Sequence, residues 1–266
     1  MITLSRHVDA RAFTSAKWVI DMLSAMRQRV LMRWRRLFLW PPVGRVRFGS
    51  LRRLRPISRQ FGLDRAERER CIDVAFIEQF LDRHRADIRG RVLEMGDNRY
   101  TNKFGGPAVE KSDILHVQPV GHATIVADLT HADDIASDSF DCIICTQTLQ
   151  FIFDVRASVK TLYRILRPGG VLLVSCTGIS QISRYDMDRW GDFWRFTGAS
   201  VRRLLGECWP PGAVSVETHG NVLLAVAYLH GLTMDELRPE DLQERDEDFQ
   251  LVITARAEKP TMNPGG

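Results

Sequence analysis

Between Arg91 and Thr148 this chain repeats one event four times: a short apolar run ends, and a carboxylate or an amide follows at once. The runs are Arg91-Val92-Leu93 leading into Glu94-Met95-Gly96-Asp97, Asp113 to Val117, Ala123 to Val126 leading into Ala127-Asp128-Leu129, and Phe140 to Cys145 leading into Thr146-Gln147-Thr148. Continuous apolar runs of this length, rather than alternating ones, are what strands buried on both faces require, and such strands belong to a parallel sheet. In a parallel sheet the C-terminal ends share one edge, so the polar groups just past each strand converge on one crevice. That pattern predicts an α/β, doubly wound architecture with its site at the strand ends.

The rest of the chain supplies the remaining elements. Asp64 with Glu67 predicts a helix start, and Ile72, Phe76, Ile77, Phe80 and Leu81 mark its buried stripe as far as Ile88, ahead of Gly90; such a helix is expected to cover the sheet edge and lid the crevice. Asp154 predicts the cap of a helix with the stripe Val155, Val159, Leu162 and Leu166, halted by Arg167-Pro168-Gly169-Gly170 before a fifth strand at Val171 to Ser175. A short strand–helix–strand link of this kind fits a right-handed crossover. Val201, Leu204, Leu205 and Cys208 predict a further helix, Val214 to Val216 and Gln250 to Thr254 the last two strands, and Val222 to Leu229 with the acidic stretch Asp235 to Asp248 a helical insertion between them.

With 266 residues and 44% hydrophobic content the chain can hold one large domain with appendages. The boundaries read as a basic extension over 1–60, a main domain over 61–258 and a tail over 259–266. Residues 1–60 carry 14 of the 37 Lys and Arg but two of the 33 Asp and Glu, so the basic character belongs to the extension and the body is net acidic. From Thr14 to Leu39 apolar residues recur at three- and four-residue steps, including Met22, Leu23, Met26, Val30 and Trp34, with Arg27, Arg33, Arg35 and Arg36 largely elsewhere. This amphipathic helix suits either packing on its own domain or a partner, or lying on an anionic membrane surface with Trp18, Trp34 and Trp40 at the interface. The Arg-rich stretch Val43 to Leu63 reads as a connector wrapped over the domain. No aromatic interleaving or binding module points to nucleic acid there. No apolar window reaches the length that spans a bilayer, and no secretion signal is visible, so a cytoplasmic location, with a membrane-peripheral alternative, is expected. The five cysteines are odd in number and sit mostly in apolar runs, as reduced buried thiols do. Cys142 and Cys145, three apart on a strand, face opposite sides, and no metal site is expected.

Three segments resemble the class I S-adenosylmethionine-dependent methyltransferases of the type 11 branch. Val92-Leu93-Glu94-Met95-Gly96 resembles their first strand and cofactor loop, and Asp138-Ser139-Phe140-Asp141-Cys142-Ile143-Ile144 resembles their fourth strand. Leu162 to Leu172, around Arg167-Pro168-Gly169-Gly170, resembles the helix–turn–strand segment most specific to the group, and Trp194-Arg195-Phe196-Thr197 is a weaker echo. The likeness runs from Ile72 to Arg256. It implies a mostly parallel, seven-stranded Rossmann-like sheet and S-adenosylmethionine as cofactor. It also implies that Glu94 supports the cofactor loop and Gly96 and Asp97 meet the amino-acid end. Asp113, ending the second strand, is implied to meet the ribose, Asp128 and Leu129 the adenine, and Thr146 and Gln147 to lie under the donor methyl. The glycines that usually follow in the loop are Asn98 and Tyr100 here; Asn98 at a positive φ is the expected substitute, Tyr100 is expected to be crowded, and the helix after the loop is expected to be short or absent. His116, His122 and Tyr185 are the candidate catalytic groups, with Asp188, Trp190 and Trp194 as further acceptor-pocket candidates. Gln150 stands where relatives often have a histidine.

The expected function is methyl transfer to an oxygen or nitrogen of a small molecule, a saccharide or other cell-surface precursor. The alternative is a non-catalytic methyltransferase-like binding or scaffold protein. A nicotinamide-dependent oxidoreductase is disfavoured because the chain lacks G-x-G-x-x-G, the glycine-lined helix start on which a pyrophosphate sits.

Overall fold

A computed structural model describes residues 22–31, 34 and 49–261, which divide into two compact units, Met1–Leu54 and Arg55–Gly266. In the first, residues 22–31 are helical (α1), and Met22, Leu23, Met26, Val30 and Leu31 are all exposed. The rest of the predicted 14–39 helix, apart from residue 34, lies outside the described residues, as do Trp18, Trp40 and 262–266. No helix among the described residues is long and apolar enough to cross a membrane.

The second unit is built on a seven-stranded sheet of order β3-β2-β1-β4-β5-β7-β6. Its strands are β1 (Gly90–Met95), β2 (Val109–His116), β3 (Ile125–Val126), β4 (Phe140–Thr146), β5 (Leu166–Thr177), β6 (Val214–His219) and β7 (Val252–Glu258). β1 to β5 pair in parallel, and β7 runs antiparallel to both β5 and β6. The expected mostly parallel Rossmann-like sheet is therefore present.

Period-two alternation divides the central strands between two cores. On one face Leu93, Ile143, Cys145, Leu172 and Val174 pack with α3 (Val155–Ile165) and α5 (Gly198–Leu205), between which the chain forms the short α4 (Arg184–Met187). On the other, Val92, Cys142, Ile144 and Leu173 pack with α2 (Ile72–Arg83) and α6 (Val222–Leu229). The Cys142–Cys145 pair thus points to opposite faces, and burial pushes both thiols up, Cys145 to about 12. Asp154 caps α3 by accepting from the Ala157 N–H at 3.0 Å, as its spacing predicts.

Four local expectations are corrected. α2 starts at Ile72 rather than near Asp64, because residues 61–65 form a turn in which Gly62 has φ +90° and Asp64 accepts from the Ser58 hydroxyl. It also lies across a sheet face rather than along an edge. The segment Arg167-Pro168-Gly169-Gly170 is not a turn before β5 but its first residues, tied by the Gly169 N–H to the Lys259 carbonyl at 2.7 Å. The acidic stretch from Asp235 to Asp248 holds two short 3-10 turns, Met234–Glu236 and Pro239–Leu242, instead of a helix. There Glu236 and Asp241 cap the turns from within, and Asp235 and Glu236 pair with Arg70 and Arg65. Carboxylates that bond the adjacent backbone compete with helix continuation.

At the edge opposite the strand C-termini, Asp141 joins three strands. Its carboxylate accepts from the Arg91 N–H at 2.7 Å and from Arg167 Nη1 at 2.8 and 2.7 Å. Burial alone would raise this carboxyl, but those donors outweigh it and hold it below its ordinary value. Its stabilising contribution is then present above the ordinary carboxylate pKa and is lost as pH falls through the depressed value. Asp141→Ala is expected to cost roughly 2 kcal/mol at pH 7 by urea denaturation, with the deficit shrinking as pH falls below the ordinary carboxylate value.

Candidate functional site

The C-terminal ends of β1, β2 and β4 open into a cavity of about 910 Å³, walled by residues 94–97, 115–117, 127–131 and 146–148. That is at the upper end of small-molecule sites, large enough for a nucleoside cofactor and a second molecule. The convergence expected from the four run-endings is present.

The loop after β1 is organised by Glu94. Its buried carboxylate accepts from the Tyr100 N–H at 3.0 Å, the Thr101 N–H at 2.7 Å and the Thr101 hydroxyl at 2.7 Å. These bonds curl the chain into one π-helical turn, Thr101–Gly105, the short helix expected there. Gly96 takes φ +84°, its N–H donates to the Leu115 carbonyl at 2.9 Å, and nothing lies within 4 Å of where a Cβ would stand. Backbone is therefore open to a ligand at that point, in a conformation that favours glycine. Asp97 caps the next turn from the Arg99 N–H at 3.0 Å. Asn98 does not adopt the expected positive φ: among described non-glycine residues that region holds Phe61, Asp138 and Gln147. The loop needs no second left-handed residue because Glu94 already draws residues 100 and 101 inward. Tyr100 is 3% exposed and stacks with Phe104 at 6.3 Å, so it contributes to the wall from the α2-side core rather than filling the cavity.

Asp113 is not where the resemblance places it. β2 continues to His116, which leaves Asp113 three residues short of the strand end and outside the cavity wall. There it pairs with Arg91 at 2.7 Å and Lys111 at 3.3 Å and accepts from the Thr124 hydroxyl at 3.2 Å. His116 lines the cavity, with its Nδ1 against Gln118 and its ring edge-on to Trp190 at 6.0 Å. His122 stands outside the wall, its Nε2 bonded to the Gly96 carbonyl at 3.0 Å.

Asp128, Leu129, Thr146 and Gln147 all line the cavity. One Asp128 oxygen accepts from the Thr130 N–H and hydroxyl, both at 2.8 Å. Gln147 holds φ +47°, anchored by its N–H on the Ser175 carbonyl at 2.9 Å. A non-glycine residue in that region costs about 1 kcal/mol, and such strain gathers at functional sites. Tyr185 and Trp190 also line the cavity, whereas Asp188 pairs outward with Arg184 and Trp194 donates to the Ile152 carbonyl at 3.0 Å, in a packing cluster with Phe153.

Sequence reasoning passed over Asp73 and Tyr228, which line the same cavity from α2 and α6. The misplaced start of α2 hid Asp73, and a tyrosine in an apolar helix gives no local signal. No group of three or more His, Cys, Asp or Glu among the described residues could hold a metal.

This strand order with an antiparallel β7, and a glycine-turned loop between an organising acid and open space, are those of the class I methyltransferase fold. A methyltransferase-domain family model matches residues 107–174. The chain is 27% identical to the ubiquinone/menaquinone biosynthesis C-methyltransferase UbiE of Klebsiella pneumoniae, over 54% of this chain and 61% of that one. It is 29% identical to the UbiE of Haemophilus ducreyi over 34% and 29% of the two lengths. It thus spans less than two thirds of the curated relatives it matches. A solved S-adenosylmethionine-dependent methyltransferase from Archaeoglobus fulgidus superposes with a TM-score of 0.47 at 8% identity, covering 70% of this chain and 94% of that one. The residues fit S-adenosylmethionine: the Gly96 backbone is open and the Asp128 carboxylate lies exposed in the wall.

Burial pushes the Glu94 carboxyl from 4.5 to about 7, against the pull of its Thr101 and Tyr100 bonds. A carboxyl raised on folding stabilises the protein fully below its unfolded pKa, and that contribution is lost as pH rises through the folded value. Stability relative to Glu94→Gln should therefore fall by on the order of 3 kcal/mol between about pH 4.5 and 8. His219, held at about 4 by burial, acts with the opposite sign, so the quantity to measure is the difference between the two urea curves. A flat difference would contradict the assignment.

Proposed function

We propose that this protein is an S-adenosylmethionine-dependent methyltransferase acting on an oxygen or nitrogen of a small molecule, a saccharide or other cell-surface precursor. The observation that carries the reading is the meeting of Gly96, Asp128 and Gln147, from three separate strand ends, on one cavity large enough for donor and acceptor together. When bound, the cofactor supplies a methyl carbon made electrophilic by its sulfonium. The chain's work is then to hold two molecules in line and dry. Glu94 keeps the loop closed so that the Gly96 backbone and Asp97 can meet the amino-acid end. The end of β2 offers His116 in place of Asp113. Asp128 keeps one oxygen on Thr130 and presents its carboxylate to the adenine amine beside Leu129, and Thr146 and Gln147 form the floor under the methyl group.

The competing reading is a non-catalytic methyltransferase-like binding protein. S-Adenosylhomocysteine at 100 times its Kd is expected to stabilise the protein by about 2.7 kcal/mol, a rise of several degrees in Tm. Asp128→Asn, which keeps the oxygen that Thr130 needs, should remove most of that rise with little change in the ligand-free Tm. The absence of any shift in the wild type favours the non-catalytic reading.

The second part of the proposal concerns α1 and its surroundings. At about 100° per residue, Met22, Met26, Val30, Leu23 and Trp34 fall on one arc of roughly 120°, with Arg27 and Arg29 on either side of it. An exposed apolar stripe edged by arginines, in an extension rich in positive charge, matches an anionic bilayer surface. The full chain should co-sediment with vesicles containing phosphatidylserine, less so at high salt, and the double variant Leu23→Glu/Met26→Glu should bind at least 10-fold more weakly. Wild-type protein left in the supernatant would end the idea.

A further inference from the structure

We propose that Asp73 is the base of an acceptor subsite for a hydroxyl-rich molecule, taking the proton of the hydroxyl that is methylated; the proposal rests on the methyltransferase reading above. Asp73 lies in the first turn of α2, which brings Asp73, Val74 and Ile77 into the cavity wall. Across from it stands the buried Tyr228 of α6, whose hydroxyl pulls the Asp73 carboxyl down, while Asp73 Oδ1 has no hydrogen-bond partner.

This orphan is one of a set. Six buried side-chain polar atoms among the described residues lack a partner, and four of them belong to residues of this cavity wall: Asp73 Oδ1, Arg99 Nε, Gln150 Oε1 and Gln181 Nε2. Leaving such an atom unpaired costs about 1–3 kcal/mol, so four in one wall mark a surface that a polar ligand completes. Two are acceptors and two are donors. A hydroxyl both donates and accepts, and a molecule carrying several of them satisfies such a mixed set.

The other candidate bases are less free. His122 is outside the wall and His116 Nδ1 is occupied by Gln118. Burial raises the Asp73 carboxyl above its ordinary value, against the pull of the Val74 N–H, Arg68 and Tyr228, which makes it a better proton acceptor than a solvated carboxylate. In the step itself the acceptor O–H bond breaks and its proton passes to the Asp73 carboxylate. The oxygen forms a bond to the methyl carbon, and the C–S bond breaks with its electron pair staying on sulfur, giving an ether and a neutral thioether.

The test uses the full chain, tritiated methyl donor, and the methyl α-pyranosides of glucose, galactose and mannose as probes. Binding is read separately by saturation-transfer NMR in the presence of S-adenosylhomocysteine. Wild type is expected to bind and methylate at least one glycoside. Asp73→Asn should keep the full thermal shift with S-adenosylhomocysteine but lose at least 100-fold in transfer. Tyr228→Phe, which leaves the carboxyl in place but removes its donor, should lose roughly 10-fold and serves as the second variant if Asp73→Asn does not fold. Transfer at the wild-type rate by a folded Asp73→Asn protein, or by Tyr228→Phe if the first fails to fold, overturns the proposal. So does a wild type that shows its thermal shift yet neither binds nor methylates any of the three glycosides. A wild type without that shift removes instead the methyltransferase reading beneath it.

Discussion

The Glu94 carboxylate is the group on which the site depends. It is 1% exposed at the end of a strand flanked on both sides, and three donors from residues 100 and 101 meet it. A buried carboxylate without such partners would be prohibitively costly, so the chain that follows β1 is drawn back over the strand end. Gly96 then turns at positive φ and leaves its outer side open. Cavity and loop are two consequences of one electrostatic requirement.

What holds that acid in place is the division of the sheet between two cores. β1 and β4 carry alternate apolar side chains to α3 and α5 on one face and to α2 and α6 on the other. Because both faces are buried, a one-residue slip of β1 would exchange the two sets and move Glu94 from its donors. The hydrogen-bonded Asp141 at the opposite edge fixes the same register from below, through the Arg91 N–H. Packing and polar bonding thus specify one alignment of the strand ends.

The two halves of the cavity have different origins. One half comes from strand ends that follow one another in sequence. Its other half is assembled from the first turn of α2, the loop containing Gln181 and Tyr185, and Tyr228 of α6, segments far apart in the chain. The unpaired polar atoms fall in both halves and give the cavity a mixed donor and acceptor character.

The sheet and the place of the site were legible in the order of residues alone, because both rest on local pattern. Apolar runs without alternation specify strands buried on two faces, a polar residue after each run marks its end, and Asp154 caps its helix through a bond three residues away. Which acid meets what was settled by packing between distant segments. Asp113 and Asp128 look alike as letters, yet Arg91 and Lys111 from neighbouring positions bind the first inside the sheet, while the turn at Thr130 leaves the second at the cavity. Asn98 was free to stay right-handed because Glu94 reached across six residues, and Asp73 became part of the wall because α2 begins at Ile72, beside Tyr228 from the far end of the chain. The fate of a polar side chain is set by what packs within a few ångströms of it, and residues distant in sequence supply those neighbours.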